Sequence, residues 1–435
     1  MNKIKVIGAG LAGCEAAYYL AERGVKVTLF DIKPQNYTPA HKSENFAELV
    51  CSNSLKSNDV YGNAAGLLKE EMRIIGSLII GAADKTAVPA GGALAVDRNA
   101  FSAFITDKIK RHPNIDFVCE EVKNIDCGEN LILATGPLTT DALSESIKAL
   151  TGDELAFYDA SAPIIAADSI DKERSFKGDR YGKGNGDHIN CPMNKEEYKA
   201  FLAALLSAER ASLHEFEKVS VFEGCMPVEI MATRGEDTLR FGPLKPAGLD
   251  DPATGRWPYA CLQLRKEDKE GTMYNMIGFQ TNLKFGEQKR VFGMIPALKN
   301  AEFLRYGVMH RNTFINFPKV LNRDGSLKSF PNVFFAGQIT GVEGYVESAA
   351  SGLVAAIYAL SRLNGVTVPF FPEQTVIGSL MKYITTENEN FQPMNANFGI
   401  LPPPDVCVRQ KAERKKLMAE RSLESVKKFK KEILL

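Results

Sequence analysis

The sequence predicts an α/β fold in which a parallel sheet is interrupted by a smaller α+β domain. Three observations lead to this fold class. The first 31 residues follow the order strand, glycine turn, helix, strand. Two later apolar stretches, 129–137 and 331–341, also run from a strand into a glycine turn, and roughly 190 residues of different character separate them. Strands that alternate with helices are typical of parallel sheets, and a long intervening segment is typical of an inserted domain.

The N-terminal segment predicts the first βαβ unit of this sheet. "KIKVIGAG" is a short apolar strand, "LAGCEAAYYLAERG" has the alanine-rich spacing of a helix that ends at Gly24, and "VKVTLFD" returns to a strand. Gly8, Gly10 and Gly13 stand in GxGxxG spacing between strand and helix, and Asp31 ends the second strand. This context, more than the glycine spacing alone, predicts a Rossmann-like dinucleotide-binding unit.

Each of these residues has a physical task in such a unit. Gly8 permits the tight turn, Gly10 lets the backbone approach a pyrophosphate, and Gly13 lets the helix pack close to the strand. The N–H groups and the partial positive charge at the helix N-terminus attract phosphates. We expect Asp31, about 20 residues beyond the glycines, to accept hydrogen bonds from the ribose hydroxyls.

A second strand, glycine turn and helix near the C-terminus, "FFAGQITGVEGYVESAASG", favours FAD over a nicotinamide cofactor. Such a late element closes the ribityl and pyrophosphate part of a flavin into the sheet that the first element opens, and its helix ends at Gly365. Many two-dinucleotide flavoproteins have an acidic residue where Gln338 stands, so a ribityl hydrogen bond at 338 is not predicted. The predicted cofactor-binding residues are Gly8, Ala9, Gly10, Leu11, Ala12, Gly13, Asp31, Gly337 and Gly341.

The segment between the late strands predicts a second domain inserted into the first. It is rich in Gly/Pro loops, such as "RYGKGNGDHINCP", and it contains an amphipathic helical pattern at 194–209. The predicted organisation is a first FAD-binding part at 1–150, an inserted substrate- or RNA-facing α+β domain at 151–300, a completing FAD-binding part at 301–400, and a Pro-rich spacer with a basic helix at 401–435.

The basic C-terminal segment has two interpretations. Residues 409–435 hold ten Lys and Arg against four Glu, although the whole chain has a formal net charge of zero. A basic end on a neutral body is suited to contact phosphate. Leu423, Val426 and Ile433 also give a one-sided apolar stripe, which predicts an ordinary solvated helix with outward lysines.

Composition excludes several classes of protein. Hydrophobic residues make up 45% and charged residues 24%, and no apolar run approaches a membrane span. The N-terminus enters a strand directly without the pattern of a signal peptide, so we expect a cytoplasmic protein with no membrane partner. The eight cysteines include no CxxC pair, which predicts reduced thiols and no metal site. Oligomeric state is not predicted.

Two cysteines stand out by their neighbours. Cys51 lies in "FAELVCSNSLKS", among small polar residues, and Cys225 lies in "VFEGCMPVEIMATRG", between a glycine and Met-Pro. Either thiol is a candidate nucleophile, but residue composition alone leaves a buried structural role equally open. His310 and Arg311 are candidates for binding an anionic substrate, with a polar cluster between domains as the alternative.

The chain resembles the folate- and FAD-dependent tRNA (uracil-5-)-methyltransferase family along nearly its whole length. The motifs that carry the resemblance occur in order and are "GAGLAG", "TPAH", "FAELVCSNSLKSN", "LKEEMR", "VPAGGALAVDR", "EGCMPVE", "YGVMHRNTFIN", "FFAGQITGVEGYVESAASGL" and "NFQPMNANFG". The resemblance implies transfer of a methylene from 5,10-methylenetetrahydrofolate to C5 of the T-loop uridine of tRNA. Reduced FAD then supplies a hydride, and NADH or NADPH regenerates the flavin.

The resemblance also implies roles for the two cysteines. Cys225 is similar to the thiol that attacks C6 of the uracil, and Cys51 is similar to a second thiol near the flavin that handles the methylene or releases product. Physical reasoning supports different roles for two groups. A nucleophile must reach an extruded base, while another group removes the C5 proton or shields the one-carbon intermediate. This reasoning does not decide which thiol does which.

Four alternatives to this assignment are considered at this point. A close relative on the same scaffold methylates a uridine of 23S ribosomal RNA, and no quoted motif separates the two targets. A wobble-uridine modification enzyme shares "FFAGQI" but has a long additional C-terminal helical domain, which we do not expect here. From other classes, a flavin oxidoreductase acting on a small molecule and a non-catalytic FAD-binding RNA chaperone fit the composition.

Overall fold

The computed structural model of the chain describes residues 3–38, 40–152, 154–182, 184–211, 226–388 and 391–433, without the side chains of 154–159 and 310–314. The strands, numbered in chain order, are β1 (Lys3–Ile7), β2 (Lys26–Asp31), β3 (Ser54–Ser57), β4 (Ala87–Val88), β5 (Ala93–Val96), β6 (Ile115–Cys119), β7 (Leu131–Leu133), β8 (Glu154–Ala160), β9 (Ile164–Ala166), β10 (Phe176–Lys177), β11 (Ile189–Met193), β12 (Ala260–Lys266), β13 (Met273–Met276), β14 (Phe303–Arg305), β15 (Met309–Ile315) and β16 (Val333–Phe335).

The helices connect these strands and cover the sheets. They are α1 (Leu11–Ala21), α2 (Ala64–Ile75), α3 (Leu78–Lys85), α4 (Arg98–Lys110), α5 (Asp141–Thr151), α6 (Lys195–Ser207), α7 (Val228–Ala232), α8 (Thr238–Phe241), α9 (Phe285–Phe292), α10 (Phe317–Val320), α11 (Tyr345–Leu363), α12 (Val376–Thr385) and α13 (Lys411–Glu432). Within the described ranges, none of them is both long and apolar enough to cross a membrane.

Five strands form a fully parallel sheet in the order β16-β7-β1-β2-β6. The strands β7 and β16 are short and entirely buried, as expected for a parallel sheet covered on both faces. The predicted Rossmann-like α/β class is confirmed, and both late strands join the first βαβ unit in one sheet. Helices α1 and α11 pack closely at Gly352, where a Cβ atom would lie 2.2 Å from the carbonyl oxygen of Ala12.

A second, antiparallel sheet has the order β10-β11-β12-β13-β9-β14 and spans residues 164–305. It has its own core, in which Tyr198, Phe201, Phe279 and Phe292 are fully buried. The helix expected at 194–209 is α6, and Asn194 caps its start in a reciprocal pair of hydrogen bonds with Glu197. The last strand of this sheet, β14, lies just beyond the predicted boundary at residue 300, and the domain boundaries stay a prediction.

Two smaller sheets were not predicted from the sequence. Strands β3, β5 and β4 form a three-stranded antiparallel sheet, and β8 pairs with β15 over seven residues. The strands of the first are only two to four residues long, which is too short to show an alternating pattern. The three-stranded sheet matters for the site because β3 begins at Ser54, three residues after Cys51.

The basic C-terminal helix α13 packs on the body of the first domain. Val426 and Ile433 of the predicted stripe are buried, together with Met418 and Phe429. The hydroxyl of Ser422 donates a hydrogen bond of 2.5 Å to the buried carboxylate of Glu71 in α2. The predicted one-sided stripe therefore faces the core, while the contact of the tail with RNA stays a prediction.

Candidate active site

The glycine turn between β1 and α1 is tightly packed. Gly8 has a φ of 102°, and a Cβ atom there would lie 2.5 Å from the carbonyl oxygen of Ala134. A Cβ atom at Gly13 would lie 1.8 Å from the carbonyl oxygen of Gly8. Both distances are far below contact, so only glycine fits at these positions. Gly13 thus acts by packing, on the side of the turn away from the groove.

Gly10 has the opposite environment. Its hypothetical Cβ atom meets nothing within 4 Å, because it points into open space at the start of α1. No side chain caps the first turn of α1, and that turn has no acidic residue. The N-terminus of this 11-residue helix therefore presents its positive end to the open space, which is the arrangement that binds phosphate.

The carboxylate of Asp31 holds the turn from the end of β2. Its Oδ2 atom accepts the backbone N–H of Ala9 at 2.7 Å, and its Oδ1 atom accepts the N–H of Lys33 at 2.9 Å. Asp31 also lines the groove beside the glycine turn. Because a carboxylate has about four acceptor positions, these two bonds leave acceptor capacity for ribose hydroxyls.

These residues border a groove with an empty volume of about 1140 Å³, part of which is open to solvent. Its lining includes residues 8–12, Asp31 and Gly337 from the predicted cofactor set, and it also includes 134–140, Glu48, Val50 and Tyr345, which that set missed. Residues 134–140 follow β7, in a stretch that the sequence shows to run from a strand into a glycine turn. Glu48, Val50 and Tyr345 lie within motifs that carry the family resemblance, but the sequence analysis did not assign them to the cofactor.

Gly341 lies outside the groove lining. It has a φ of 86° and ends the short turn after Gly337, and a Cβ atom there would lie 2.4 Å from the ring of Phe391. Gln338 does line the groove, and its side-chain amide donates to the carboxylate of Glu343 at 2.7 Å. Glu343 itself is not part of the groove lining.

The groove fits a flavin dinucleotide. A helix N-terminus without a cap, a glycine whose missing Cβ leaves the backbone open, and a carboxylate at the end of β2 are the parts that hold a dinucleotide in this fold. Gly8 to Ala12 would hold the pyrophosphate and Asp31 the ribose. Within the described residues, no group of three or more His, Cys, Asp or Glu is arranged to bind a metal ion.

Cys51 is half-buried and adjoins the groove. Val50, directly before it, lines the groove, as does Tyr345, whose hydroxyl accepts the Cys51 backbone N–H at 2.7 Å. The Cys51 sulfur lies 3.8 Å from the carbonyl oxygen of Ala160, a weak contact. The structure therefore brings this predicted residue to the groove.

The polar neighbours of Cys51 hold its loop. Asn53 is fully buried and donates to the carbonyl oxygens of Val96 at 3.0 Å and Lys266 at 2.8 Å, which ties the loop to the antiparallel sheet. Ser52 accepts the N–H of Ser54 at 3.1 Å. The ammonium group of Lys56 pairs with Glu347 of α11 at 3.0 Å. These contacts explain the run of small polar residues that the sequence shows.

Cys225, the other predicted catalytic residue, lies outside the described residues. The chain resumes at Met226, and the backbone N–H of Val228 donates to the carbonyl oxygen of Gln280 at 2.7 Å. The buried carboxylate of Glu229 accepts hydrogen bonds from Thr281 at 2.9 Å and Asn282 at 2.7 Å, and burial raises its pKa. His310 and Arg311 belong to β15, and their side chains also lie outside the description.

The other described cysteines do not line the groove, although Cys14 donates to the carbonyl oxygen of Ala9 at 3.3 Å and Cys119 to that of Ile32 at 3.6 Å. Cys14, Cys191 and Cys261 are buried, and none of the described cysteines lines the groove. Burial raises the pKa of Cys261 to about 12 and raises the pKa of Cys14 and Cys191 as well, so these thiols stay protonated.

Fold and groove together define an α/β dinucleotide-binding protein of the flavoprotein type. The structure of Aquifex aeolicus GidA in its form II crystal is similar, with a TM-score of 0.74 over 99% of this chain and 73% of that chain. Its form I crystal gives a TM-score of 0.73. At 16% sequence identity these likenesses show the fold alone.

Sequence comparison shows the family. The family model described as "Glucose inhibited division protein A" matches residues 3–367. The chain is 58% identical over 434 residues to "Methylenetetrahydrofolate--tRNA-(uracil-5-)-methyltransferase TrmFO" of Listeria monocytogenes serotype 4b, covering 99% of this chain and all of that relative. The protein of the same name from Acetivibrio thermocellus is 56% identical over 431 residues. This chain belongs to the TrmFO family of folate-dependent tRNA (uracil-5-)-methyltransferases.

Proposed function

We propose that this protein methylates C5 of a uridine in tRNA, with 5,10-methylenetetrahydrofolate as the one-carbon donor. The observation that carries the proposal is the 58% identity to TrmFO over 434 residues. The structure supports it independently, because a groove that fits a flavin dinucleotide adjoins the thiol-bearing loop of Cys51.

FAD is the cofactor, and NADH or NADPH is the co-substrate that reduces it. The methylene of the folate is at the oxidation level of formaldehyde, so its conversion to a methyl group needs a hydride, which reduced FAD supplies when bound. The products are 5-methyluridine, tetrahydrofolate and oxidised FAD. The chain's own residues at 8–12 and Asp31 hold and orient the dinucleotide.

The uracil ring must be activated before it takes up the carbon. A thiolate that adds to C6 forms a carbon–sulfur bond and makes C5 carbanion-like, and C5 then attacks the methylene. We assign the C6 addition to Cys225, and we assign Cys51 to the flavin side of the site, where it handles the methylene or assists release. Loss of the C5 proton lets the transferred carbon expel the folate nitrogen, which leaves as tetrahydrofolate. When a hydride then adds to the resulting exocyclic methylene, the carbon–sulfur bond breaks and the C5–C6 double bond is restored.

The target we propose is the T-loop uridine, in a cytoplasmic tRNA. The target base has to leave the RNA stack, since the reacting C5 and C6 atoms cannot be reached inside a folded loop. A uridine of 23S ribosomal RNA is the competing substrate.

The decisive assay supplies purified protein with FAD, reduced nicotinamide, methylenetetrahydrofolate labelled in its methylene carbon, and unmodified tRNA. We expect labelled 5-methyluridine at the T-loop, detected by nucleoside mass spectrometry and mapped by fragment. If product forms only on ribosomal RNA, the substrate is ribosomal RNA and not tRNA. If no product forms on either RNA, the proposal is wrong. Cys51→Ala should lower the yield strongly, whereas Cys407→Ala, at an exposed cysteine, should not.

A further inference from the structure

Positively charged side chains from three separate parts of the chain surround the loop of Cys51. We use the name arginine cluster for this set, which consists of Arg98, Arg265, Arg305 and the carboxylate of Glu267. Its members come from the start of α4, from β12 and the residue after it, and from β14. Arg265 is only 8% exposed and Glu267 only 2% exposed. Buried charges of this kind are costly, so their presence calls for a specific task.

Two of the arginines bind the residues that precede Cys51. The guanidinium group of Arg98 donates to the carbonyl oxygen of Leu49, and that of Arg305 donates to the carbonyl oxygen of Val50 at 2.7 Å. Leu49 and Val50 are the two residues directly before the cysteine. Both cations therefore lie beside the Cys51 backbone.

The third arginine binds the residues that follow Cys51. Arg265 donates to the hydroxyl of Ser52 at 2.7 Å and to the side-chain oxygen of Asn53 at 3.1 Å. The loop is thus held from both sides by guanidinium groups, with the cysteine between them. All three guanidinium groups lie close enough to Cys51 for its charge to act on them.

The charges in the cluster do not balance. Three guanidinium groups face one buried carboxylate, and Glu267 binds only Arg98, through Oε2 at 2.8 and 3.1 Å. Its Oε1 atom has no hydrogen-bond partner among the described residues. An excess of positive charge in a poorly solvated place stabilises a nearby anion.

We propose that the arginine cluster holds the thiol of Cys51 in its ionised form, as a positioning and charge-stabilising device. The inference rests on the proposed role of Cys51 in the methyl transfer. Burial has the largest influence on the pKa values of Arg98, Arg265 and Arg305, and it lowers them. The negative charge of an ionised Cys51 acts in the opposite direction and raises the pKa of each arginine.

Other groups packed near the loop offset only part of the positive charge, since the Glu48 carboxylate also acts on Arg305. Tyr345 of α11 stays neutral, because burial raises its pKa well above the usual range. Glu48, in the same loop, accepts hydrogen bonds from the backbone of 42 and 43 and lies 4.0 Å from the ammonium group of Lys33. The Ala160 carbonyl oxygen contributes only a weak acceptor at 3.8 Å.

The test measures the pH dependence of alkylation at Cys51. Full-length protein is pulsed with iodoacetamide across pH 5–10, and the Cys51 peptide is quantified by mass spectrometry. The thiolate displaces iodide, so the midpoint of the rate profile reports ionisation while the plateau at high pH reports access. Cys407, which is exposed, serves as an internal reference in the same digests. Glu267→Gln and Arg265→Met are compared with the charge-preserving Arg265→Lys.

Opposite shifts are the expected result. Arg265→Met should raise the Cys51 midpoint by about one pH unit, Glu267→Gln should lower it by a similar amount, and Arg265→Lys should shift it less than Arg265→Met. The Cys407 midpoint should stay constant. If both charge variants shift Cys51 in the same direction, or neither shifts it, the cluster only fastens the loop and the inference is wrong. If Arg265→Met does not fold, the near-isosteric Glu267→Gln decides alone.

This measurement is independent of RNA and folate. Should Cys51→Ala retain full methylation activity while the midpoints shift as expected, the proposed role of Cys51 fails and the charge effect stands. Should the midpoints not shift while Cys51→Ala is inactive, the role of Cys51 stands and the inference about the arginines fails.

Discussion

The phenolic oxygen of Tyr345 accepts the backbone N–H of Cys51 at 2.7 Å and that of Ser52 at 3.3 Å. Tyr345 is the first residue of α11 and lines the groove. One side chain therefore joins the helix that follows the late glycine turn to the loop that bears Cys51. This acceptor therefore helps to fix the position of the thiol relative to the groove, together with the arginines that bind the residues on either side of Cys51.

Tyr345→Phe should make the Cys51 loop less restrained without leaving a cavity in the core. The substitution removes one oxygen and leaves two backbone N–H groups without their acceptor, at a cost of about 1–3 kcal/mol. We expect the alkylation rate of Cys51 at high pH to rise, because the loop is less restrained. Denaturant unfolding and peptide mass spectrometry measure the two effects.

The matched control is Tyr358→Phe in the same helix. The Tyr358 hydroxyl also accepts a backbone N–H, that of Phe371 at 2.8 Å, but far along α11 from the cysteine. It should lose a comparable amount of stability and leave Cys51 alkylation as in the native protein. Equal alkylation in both variants would show that Tyr345 does not position the loop.

The glycine turn allows one substitution to be compared at two positions. Gly13→Ala forces a Cβ atom to within 1.8 Å of the Gly8 carbonyl oxygen, so the protein should lose roughly 1–3 kcal/mol or more of stability. Gly10→Ala meets no protein atom within 4 Å and should leave stability within about 0.5 kcal/mol. Its methyl group enters the groove, so flavin affinity should fall about tenfold or more.

Two measurements distinguish the effects of Gly13→Ala and Gly10→Ala. Absorbance after desalting measures the flavin that each variant retains, and denaturant unfolding without flavin measures its stability. Native-like flavin binding by a folded Gly10→Ala variant would mean that the pyrophosphate does not lie against this turn. Native-like stability of Gly13→Ala would contradict the close packing of α1 on the turn.

The proposed division of the cysteines predicts which one forms a covalent adduct with RNA. With tRNA that contains 5-fluorouridine, the C6 adduct is trapped because fluorine cannot leave C5 as the proton does. Cys225→Ala should form no adduct, since no thiol remains to add at C6, whereas Cys51→Ala should retain it. Denaturing gel electrophoresis detects the complex. An adduct that persists in Cys225→Ala and disappears in Cys51→Ala would reverse the two roles.

Local patterns made the dinucleotide unit predictable from the sequence. The glycine spacing, Asp31 and the late strand are each signalled within a few residues, and the structure places Gly8, Gly10 and Asp31 around one groove. Helix α6 was also predictable, because its Asn194 cap and apolar spacing are local. Strands β3, β4 and β5 were not, since their two to four residues show no alternating pattern.

The surroundings of Cys51 could not be predicted. Tyr345 is 294 residues away along the chain, and Arg265 is 213 residues from Ser52, so no spacing rule connects them. The sequence indicated only that the neighbours of Cys51 are polar. Their partners depend on how the inserted segment folds back on the parallel sheet, which is a property of tertiary packing.

Two buried carboxyl groups should make the free energy of unfolding fall as pH rises. Burial raises the pKa of Glu71 to about 7, although hydrogen bonds from Ser422, Val376 and Ile377 act to lower it. Burial raises the pKa of Glu15 to about 7 in the same way. Their ordinary value is 4.5. Because the folded state keeps a proton that the unfolded state loses, this stability is fully present below about pH 4.5 and is lost as pH rises through about 7.

Each of these two groups should contribute up to about 3 kcal/mol of pH-dependent stability. We expect the free energy of unfolding to decrease between pH 5 and pH 8, and Glu71→Gln to remove a large part of that decrease. Glu15→Gln should have a similar effect, and the double variant should have a much shallower profile, with Glu229, whose pKa burial also raises, contributing to the remaining slope. A native protein that gains stability over this range, or a Glu71→Gln variant with an unchanged slope, would contradict the assignment.

The C-terminal helix should be needed for the stability of the parallel domain. Phe429 is 1% exposed, and its ring lies 4.1 Å from that of Phe371, centroid to centroid. Phe429→Ala should reduce the free energy of unfolding by about 3–5 kcal/mol, because it leaves a cavity where α13 meets the core. The exposed neighbour Lys431 supplies the control, since Lys431→Ala should change stability by no more than about 0.5 kcal/mol. Denaturant unfolding followed by circular dichroism compares the two, and equal stability of both variants would mean that α13 contributes no packing to the domain.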